Sequence, residues 1–114
     1  MPTPELDLVT IVVQYKDETR VIDAILKAGA PGATYYYGRG TGVRQRLGFL
    51  GKLIEAEKVI ILSAVPPEKT AAVVKAATEI AALDTAGNGF LCVQRLAQVV
   101  GYASFTYGAR IRFT

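Results

Sequence analysis

The sequence predicts one α+β domain with the element order βαββαβ and an additional strand at the C-terminus. Two apolar, β-branched runs, Leu8–Gln14 and Lys58–Val65, are typical of buried strands. Each run is followed by apolar residues at helical spacing. The chain has 114 residues, of which 51% are hydrophobic, so residues 1–114 are expected to form a single domain with one core.

The first helix is predicted between the first two strands. Asp17 or Thr19 is a suitable N-cap, and Gly29 and the Pro31-Gly32 pair end the helix. A second strand is then expected over Ala33–Arg39. The apolar stripe of the helix consists of Val21, Ile22, Ile25 and Leu26.

The second half of the chain repeats this pattern. Pro66 ends the third strand, and Pro67 and Glu68 favour the first turn of a second helix. Asp84–Gly89 is a predicted loop, and Phe90–Arg95 is a predicted fourth strand. The apolar stripe of this helix consists of Val73, Val74, Ala77, Ile80 and Ala81. The order βαββαβ predicts a ferredoxin-like plait, an antiparallel sheet with two helices on one face.

The C-terminal extension, residues 101–114, is predicted to form the additional strand. Apolar and polar residues alternate from Phe105 to Phe113, which gives the strand one apolar face. A plait of this size already has its core covered. We therefore expect the strand to pair with a neighbouring subunit or to shield a sheet edge, and we predict an oligomer.

The basic charge is concentrated between the second and third strands. From Gly38 to Lys58 there are five basic and two acidic residues, a balance of +3 that equals the net charge of the whole chain. Alternate glycines allow backbone N–H groups to approach an anion, and arginine donates to it through a forked group. This segment predicts an anion site. An ordinary hairpin connection with a solvated basic surface is the alternative.

The composition excludes several function classes. The chain has no histidine and one cysteine, which excludes Ser-His and Cys-His catalysis and an ordinary zinc site, so we expect neither an enzyme nor a metal centre. Cys92 lies in an apolar run and is expected to be a buried structural thiol. The N-terminus lacks the pattern of a signal peptide and no apolar run approaches 18 residues, so a cytoplasmic protein without membrane insertion is expected.

Three short motifs lie on this order of elements. They are Thr34 with Arg39, Gly40, Thr41 and Gly42 on the second strand, Lys58 at the start of the third, and Gly87-Asn88-Gly89 before the fourth. Together they resemble the PII-like signalling proteins over roughly residues 8–100. That family consists of trimers of a βαββαβ protomer with a T-loop between the second and third strands and a B-loop before the fourth.

The resemblance implies a homotrimer with a T-loop at about residues 43–57 and a B-loop at about residues 84–89. It implies an adenine nucleotide effector (ADP, AMP or ATP) held between subunits, and no tightly bound cofactor. The implied nucleotide-binding residues are Thr34, Arg39, Gly40, Thr41, Gly42, Lys58, Gly87, Asn88, Gly89 and Phe90. Further candidates for phosphate contacts are Arg44, Arg46, Arg110 and Arg112.

The chain departs from the nitrogen-regulatory members of that family at several places, among them Asn88 for an aspartate and Phe90 for a basic residue in the B-loop region. Val43 and Arg44 stand where those members have an arginine and a glutamine that helps to hold magnesium and 2-oxoglutarate. No tyrosine lies between Gly42 and Lys58, so the acceptor for uridylylation is missing. These departures indicate a divergent member, similar to carboxysome-associated and bicarbonate-linked ones, with bicarbonate as a candidate second ligand.

The expected T-loop is too apolar for a purely solvated linker. Leu47, Phe49 and Leu50 are therefore predicted to contact a partner protein, such as a membrane transporter or a carboxysome-linked enzyme. A ligand that orders or releases the loop would control this contact. The alternative is that these residues pack against their own domain.

Two other function classes fit the same plait. An RNA-binding module is suggested by the pI near 9.1 and the clustered arginines, but the two predicted central strands carry no aromatic residue on which a base would stack. We therefore expect no nucleic-acid partner. A small phosphate-handling enzyme such as an acylphosphatase would need an arginine-bearing loop after the first strand. This chain has Gln14-Tyr15-Lys16 there.

Overall fold

The computed structural model describes residues 4–40, 56–102, 104–107 and 110–112. The first half of the chain forms β1 (Asp7–Gln14), a 3₁₀ turn (Tyr15–Asp17), α1 (Glu18–Lys27) and β2 (Thr34–Gly40). The second half forms β3 (Ala56–Val65), α2 (Pro67–Ala81), β4 (Gly89–Arg95), β5 (Ser104–Tyr107) and β6 (Arg110–Arg112). The predicted order βαββαβ is confirmed. β3 begins two residues earlier than the sequence suggested.

The first four strands form one antiparallel sheet in the order β2-β3-β1-β4. The two apolar runs, β1 and β3, occupy its centre. A central strand is covered by neighbours on both edges and by helices on one face, which is why these runs are apolar at nearly every position. This sheet with its two helices is the α+β, ferredoxin-like architecture that the sequence predicted.

The core lies between the sheet and the two helices. Along β1, buried residues alternate with half-buried ones, and Val9, Ile11 and Val13 have no exposed surface. The half-buried residues of β1 face the opposite side, which neither helix covers. Residues from β3 and the helices complete the core: Val21, Ile25, Val59, Ile61, Val73 and Ala77.

We call the other face of the sheet the open face. Tyr36 and Phe90 lie on it at the two edge strands and are 52% and 58% exposed. The pairing register places further apolar residues beside them: Leu8, Val12, Ile60, Leu62, Ala64 and Cys92. An apolar face of this kind is typical of a surface that another protein chain covers.

The expectation that Cys92 is buried within the chain is wrong. Cys92 is exposed, because the alternation along β4 places it opposite Thr10 on the open face. An apolar run on an edge strand has one side toward the helices and the other toward the open face. Composition alone does not distinguish the two sides.

The helix ends follow the sequence signals with one difference. Asp17 occupies the N-cap position of α1, but its carboxylate accepts a hydrogen bond from Arg20 instead of capping the helix. α2 begins at Pro67, as predicted. It ends at Ala81, and the C-cap residue Ala82, whose φ of +50° is left-handed, turns the chain into the following loop.

The tail differs from the single strand that the sequence predicted. β5 and β6 pair with each other as a separate antiparallel two-stranded sheet. The apolar–polar alternation has a period of two in one long strand and in two short ones alike, so it does not reveal a reversal of the chain between them.

Asp7 links three elements at the start of β1. Its Oδ1 accepts a hydrogen bond from Arg95 Nε at 2.6 Å, and its Oδ2 accepts one from Thr70 Oγ1 at 2.7 Å. The hydrogen bond from Arg95, followed by that from Thr70, holds the pKa of this carboxyl below its usual value of 3.8. The charged form of Asp7 therefore ties β4 and α2 to β1.

We expect the free energy of unfolding to fall in acid because of Asp7. The pKa is lower in the folded chain than in the unfolded one. The stabilisation is therefore present above pH 3.8 and is lost as the pH falls through the folded value. Urea unfolding measured between about pH 6 and pH 2 should show a shallower acid decline for Asp7→Asn than for the wild type. The exposed Asp23→Asn is the matched control, and an equal flattening in both variants would contradict the assignment.

Candidate phosphate-binding site

Three of the predicted motifs meet at one end of the sheet, which we call the loop end. In the register, Gly38 on β2 lies opposite Lys58 on β3, and Lys58 lies opposite Gln14 on β1. On the other side of β1, Val13 lies opposite Gly89, the first residue of β4. Strand pairing thus places the glycines of β2, the lysine of β3 and the 84–89 loop at the same end of the sheet, with β2 and β4 as its two edge strands.

Lys58 is the buried cation of this end. The residue is 9% exposed and lies between Gly38 and Gln14 on the open-face side of the sheet. Within the described ranges, its ammonium has neither a hydrogen-bond acceptor nor an ion-pair partner. A lysine that is largely buried as a residue and has no counter-charge beside its ammonium is suited to an anion.

The 84–89 loop is held by hydrogen bonds that leave three of its N–H groups unused, those of Asp84, Ala86 and Gly87. Thr85 N–H donates to Ala82 O at 3.0 Å, and Asn88 N–H donates to Thr85 O at 3.3 Å. Asn88 Nδ2 donates to Ala82 O at 3.1 Å. The N–H groups of Ala86 and Gly87 find no acceptor in the described part of the chain. They are available to an anion at the loop.

The two glycines of this loop are required by the backbone. Gly87 has a φ of +90° and Gly89 a φ of +134°, a region that other residues rarely adopt. A Cβ on Gly89 would also lie 2.1 Å from Val12 O. The Gly-Asn-Gly sequence therefore has a structural reason in this chain, independent of any ligand.

Gln14 belongs to this end of the sheet, and the sequence-based prediction missed it. Its Nε2 donates to Gly87 O at 3.1 Å, and its backbone pairs with that of Lys58. The only signal in the sequence was a polar residue that ends an apolar run. That signal does not show which loop the side chain reaches.

The other predicted residues of β2 lie apart from Lys58. Arg39 pairs with Glu57, so it projects from the opposite face of the sheet to Gly38 and Lys58. Thr34 pairs with Leu62, four residues along β3 from Lys58, or about 13 Å at about 3.3 Å per residue. Within one chain, Gly40 lies close to Lys58, and the 84–89 loop lies at the same end of the sheet near its other edge. Thr34 lies farther along the sheet from that end.

Thr34 lines a different cavity, of about 290 Å³. Tyr102, from the segment after β4, forms part of its wall, and burial together with the nearby Glu68 carboxylate raises the pKa of this phenol above its usual value. The remaining wall comes from the start of β2 and the middle of β3: Pro31, Gly32, Ala33, Leu62, Ser63, Ala64 and Gly101. A neutral aromatic side chain beside small apolar residues suits a flat, uncharged group.

The tyrosines of β2 are divided between the two faces of the sheet. Tyr35 and Tyr37 lie on the helix side, where Tyr37 contacts Tyr15 edge-to-face with ring centroids 5.4 Å apart. A hydrogen bond to Glu18 raises the pKa of Tyr37 to about 12. The central strands β1 and β3 carry no aromatic residue, so the pattern of an RNA-stacking sheet is not present there.

Several predicted residues lie outside the described part of the chain. They are Thr41, Gly42, Arg44, Arg46, Leu47, Phe49 and Leu50. Arg110 and Arg112 belong to β6, whose backbone alone is described. Their predicted contacts with phosphate or a partner stay predictions.

We expect the side chain of Asn88 to stabilise the end of α2. Asn88→Ala removes the hydrogen bond to Ala82 O and should cost about 1 kcal/mol of unfolding free energy. Asn88→Asp should cost more at neutral pH, because a carboxylate would face a carbonyl oxygen at the negative end of a helix. Thermal unfolding measures both effects, with the exposed Gln98→Ala as the control. A more stable Asn88→Asp would contradict the assignment.

No group of three or more His, Cys, Asp or Glu residues suited to a metal ion occurs among the described residues. In the same ranges, no helix has the length and apolar composition that a membrane crossing requires. Neither observation bears on the residues outside them.

Comparisons with known proteins agree with this arrangement. The family model "Nitrogen regulatory protein P-II" matches residues 6–102, most of the chain. No curated protein matches. The fold and the glycine-bounded loop end define a P-II-type regulatory domain. The chain belongs to the nitrogen regulatory protein P-II family, as a divergent member.

Solved structures share the fold at low sequence identity. The CPII protein of Thiomonas intermedia K12, bound to ADP, AMP and acetate, has a TM-score of 0.66 and 18% identity over 88% of this chain and 93% of that one. The structure of the same protein bound to ADP, AMP and bicarbonate has a TM-score of 0.62 and 19% identity, over 87% of this chain and 97% of that one. Arabidopsis thaliana PII bound to citrate has a TM-score of 0.63 and 22% identity, over 82% of this chain and 78% of that one.

Proposed function

We propose that this protein is a nucleotide-responsive regulator, not an enzyme, that binds the phosphates of an adenine nucleotide at the loop end. The observation that carries the proposal is the ammonium of the largely buried residue Lys58, which has no partner among the described residues, on the same sheet end as the unused N–H groups of Ala86 and Gly87. A phosphate group supplies the missing negative charge and accepts from the loop. Charge-assisted hydrogen bonds of this kind are stronger than neutral ones.

We propose further that each nucleotide lies between two subunits of a trimer. The apolar open face needs a cover, and other copies of the chain supply one. The cavity beside Thr34 and Tyr102 suits a flat base, whereas Lys58 suits phosphate. Because the two features lie about 13 Å apart across the sheet of one chain, packed copies can bring one subunit's cavity toward the next subunit's loop end.

A small anion is the second ligand in this proposal. The CPII structures contain acetate or bicarbonate together with ADP and AMP, and both anions are small and oxygen-bearing. Bicarbonate is therefore the anion that we would test first, with 2-oxoglutarate as the comparison.

The T-loop is the proposed output of the site. Its two roots, Gly40 and Ala56, pair directly with each other, and Gly40 lies close to Lys58: a Cβ on Gly40 would be 4.0 Å from Lys58 Cγ. A ligand held by Lys58 therefore lies at the base of the loop. Its binding would favour some loop conformations over others and so control contact with a partner protein through Leu47, Phe49 and Leu50.

Calorimetric titration tests the proposal. AMP, ADP and ATP are titrated into the purified protein with and without magnesium, and each series is repeated with bicarbonate and with 2-oxoglutarate. We expect one saturable site per chain for at least one nucleotide, and tighter binding in bicarbonate than in 2-oxoglutarate. A folded trimer that releases no heat with any nucleotide and leaves no nucleotide bound in equilibrium dialysis would contradict the proposal.

A further inference from the structure

Gln14 is not part of the 84–89 loop, and its side chain links that loop to the sheet by a hydrogen bond. It is the last residue of β1, and its Nε2 donates to Gly87 O at 3.1 Å across 73 residues of sequence. The side chain is half-buried. Its neighbour in the register is Lys58 on β3. The side-chain amide of Gln14 thus lies on the strand between Lys58 and the glycine loop.

Gly89 pairs with Val13 of β1, but the other hydrogen bonds of residues 84–88 do not link those residues to the sheet. Thr85 N–H and Asn88 Nδ2 both donate to Ala82 O, and Asn88 N–H donates to Thr85 O. All of these partners lie within the loop or at the end of α2. Among the described residues, Gln14 is the only side chain of another element that hydrogen-bonds to residues 84–88.

We propose that Gln14 is a positioning residue of the anion site. By holding the carbonyl of Gly87, it fixes the peptide that follows Gly87 and keeps the unused N–H groups of Ala86 and Gly87 close to Lys58. This inference rests on the proposed nucleotide function. The new element is that the affinity of the site for the nucleotide depends on Gln14, although Gln14 does not need to contact the nucleotide.

The choice of an amide follows from the charges around it. A carboxylate of the same length at position 14 would repel the carbonyl of Gly87, compete with the ligand for Lys58 and repel the phosphate. An apolar side chain of the same length would remove the hydrogen bond without adding charge. The two replacements therefore separate loss of position from added repulsion.

The experiment compares Gln14→Met and Gln14→Glu with the wild type by ADP titration and by hydrogen exchange of the 84–89 amides without ligand. We expect Gln14→Met to weaken ADP about three- to tenfold and Gln14→Glu about ten- to a hundredfold. In both variants the loop amides should exchange faster, and the melting temperature should fall by no more than one lost hydrogen bond explains. A merely structural role would lower the melting temperature in the same way but would not produce this order of affinities.

Gln94→Glu is the matched control. Gln94 is exposed on the open-face side of β4, opposite Leu8 and therefore at the other end of β1 from Gln14. The same charge change there should alter ADP affinity by no more than about twofold. If the wild type binds ADP and Gln14→Met binds it equally well, or if the loop exchanges at the wild-type rate, the positioning role is overturned. If the wild type itself binds no nucleotide, the proposed function fails first and the positioning role fails with it.

Discussion

Replacing Lys58 by methionine is expected to abolish most of the nucleotide affinity without destabilising the fold. The variant loses a charge-assisted contact to phosphate, which contributes about 1.5–3 kcal/mol, so Kd for ADP should rise about ten- to a hundredfold. In the absence of ligand the melting temperature should stay the same or rise. The reason is that Lys58 is 9% exposed as a residue and its ammonium has no described partner, whereas methionine fills the same space without charge.

Calorimetry and thermal unfolding of the same samples measure the two effects. Lys75→Met is the matched control, because Lys75 is exposed on α2 and its loss should change neither quantity appreciably. A Lys58→Met variant that binds ADP like the wild type would show that Lys58 is not a phosphate ligand. A large fall in its melting temperature would show instead that the ammonium has a stabilising partner.

Alanine at Gly89 is expected to destabilise the protein more than any other single methyl group at the loop end. The new Cβ would lie 2.1 Å from Val12 O and 3.1 Å from Val13 Cα, and the residue would keep a φ of +134°. β4 would have to move away from β1 to relieve the overlap. We expect a loss of about 3 kcal/mol or more, or a melting temperature lower by roughly 10 °C or more.

Alanine variants of two other glycines separate the effect of the left-handed backbone from the effect of the steric overlap. Gly101 has a φ of +88°, but a Cβ there meets nothing within 4 Å, so Gly101→Ala should cost only the left-handed backbone, about 1–2 kcal/mol. Gly32 has open space and no positive φ, and Gly32→Ala should be nearly neutral. Equal melting temperatures for the Gly89 and Gly101 variants would contradict the close approach of β4 to β1.

The fold was predictable because its strongest signals are local. The runs of β1 and β3 are apolar at almost every position, as a central strand requires, and α2 has proline at its first turn. The sequence signals for the edge strands were weaker, because they do not show which side chains face the helices and which face the open face. Cys92 was misplaced for that reason, and the tail was read as one strand because a reversal preserves the alternation.

The candidate site was only partly predictable for a related reason. Glycines and a lysine can be read from the sequence, but the neighbours of Lys58 follow from strand register. Gln14 reaches Gly87 only because β1 pairs with both β3 and β4. The register also explains why Thr34 lies about 13 Å along the sheet from Lys58, a separation that the order of motifs does not reveal.

Native mass spectrometry with ADP is the measurement that tests the central claim most directly. It counts chains and bound nucleotides in the same ion, so it reports assembly and binding together. We expect a trimer that acquires up to three ADP molecules with rising ADP concentration, and a Lys58→Met trimer that stays largely empty at the same concentrations. A folded wild-type protein that binds no ADP at saturating concentration, or that binds it as a monomer, would contradict a phosphate site completed between subunits.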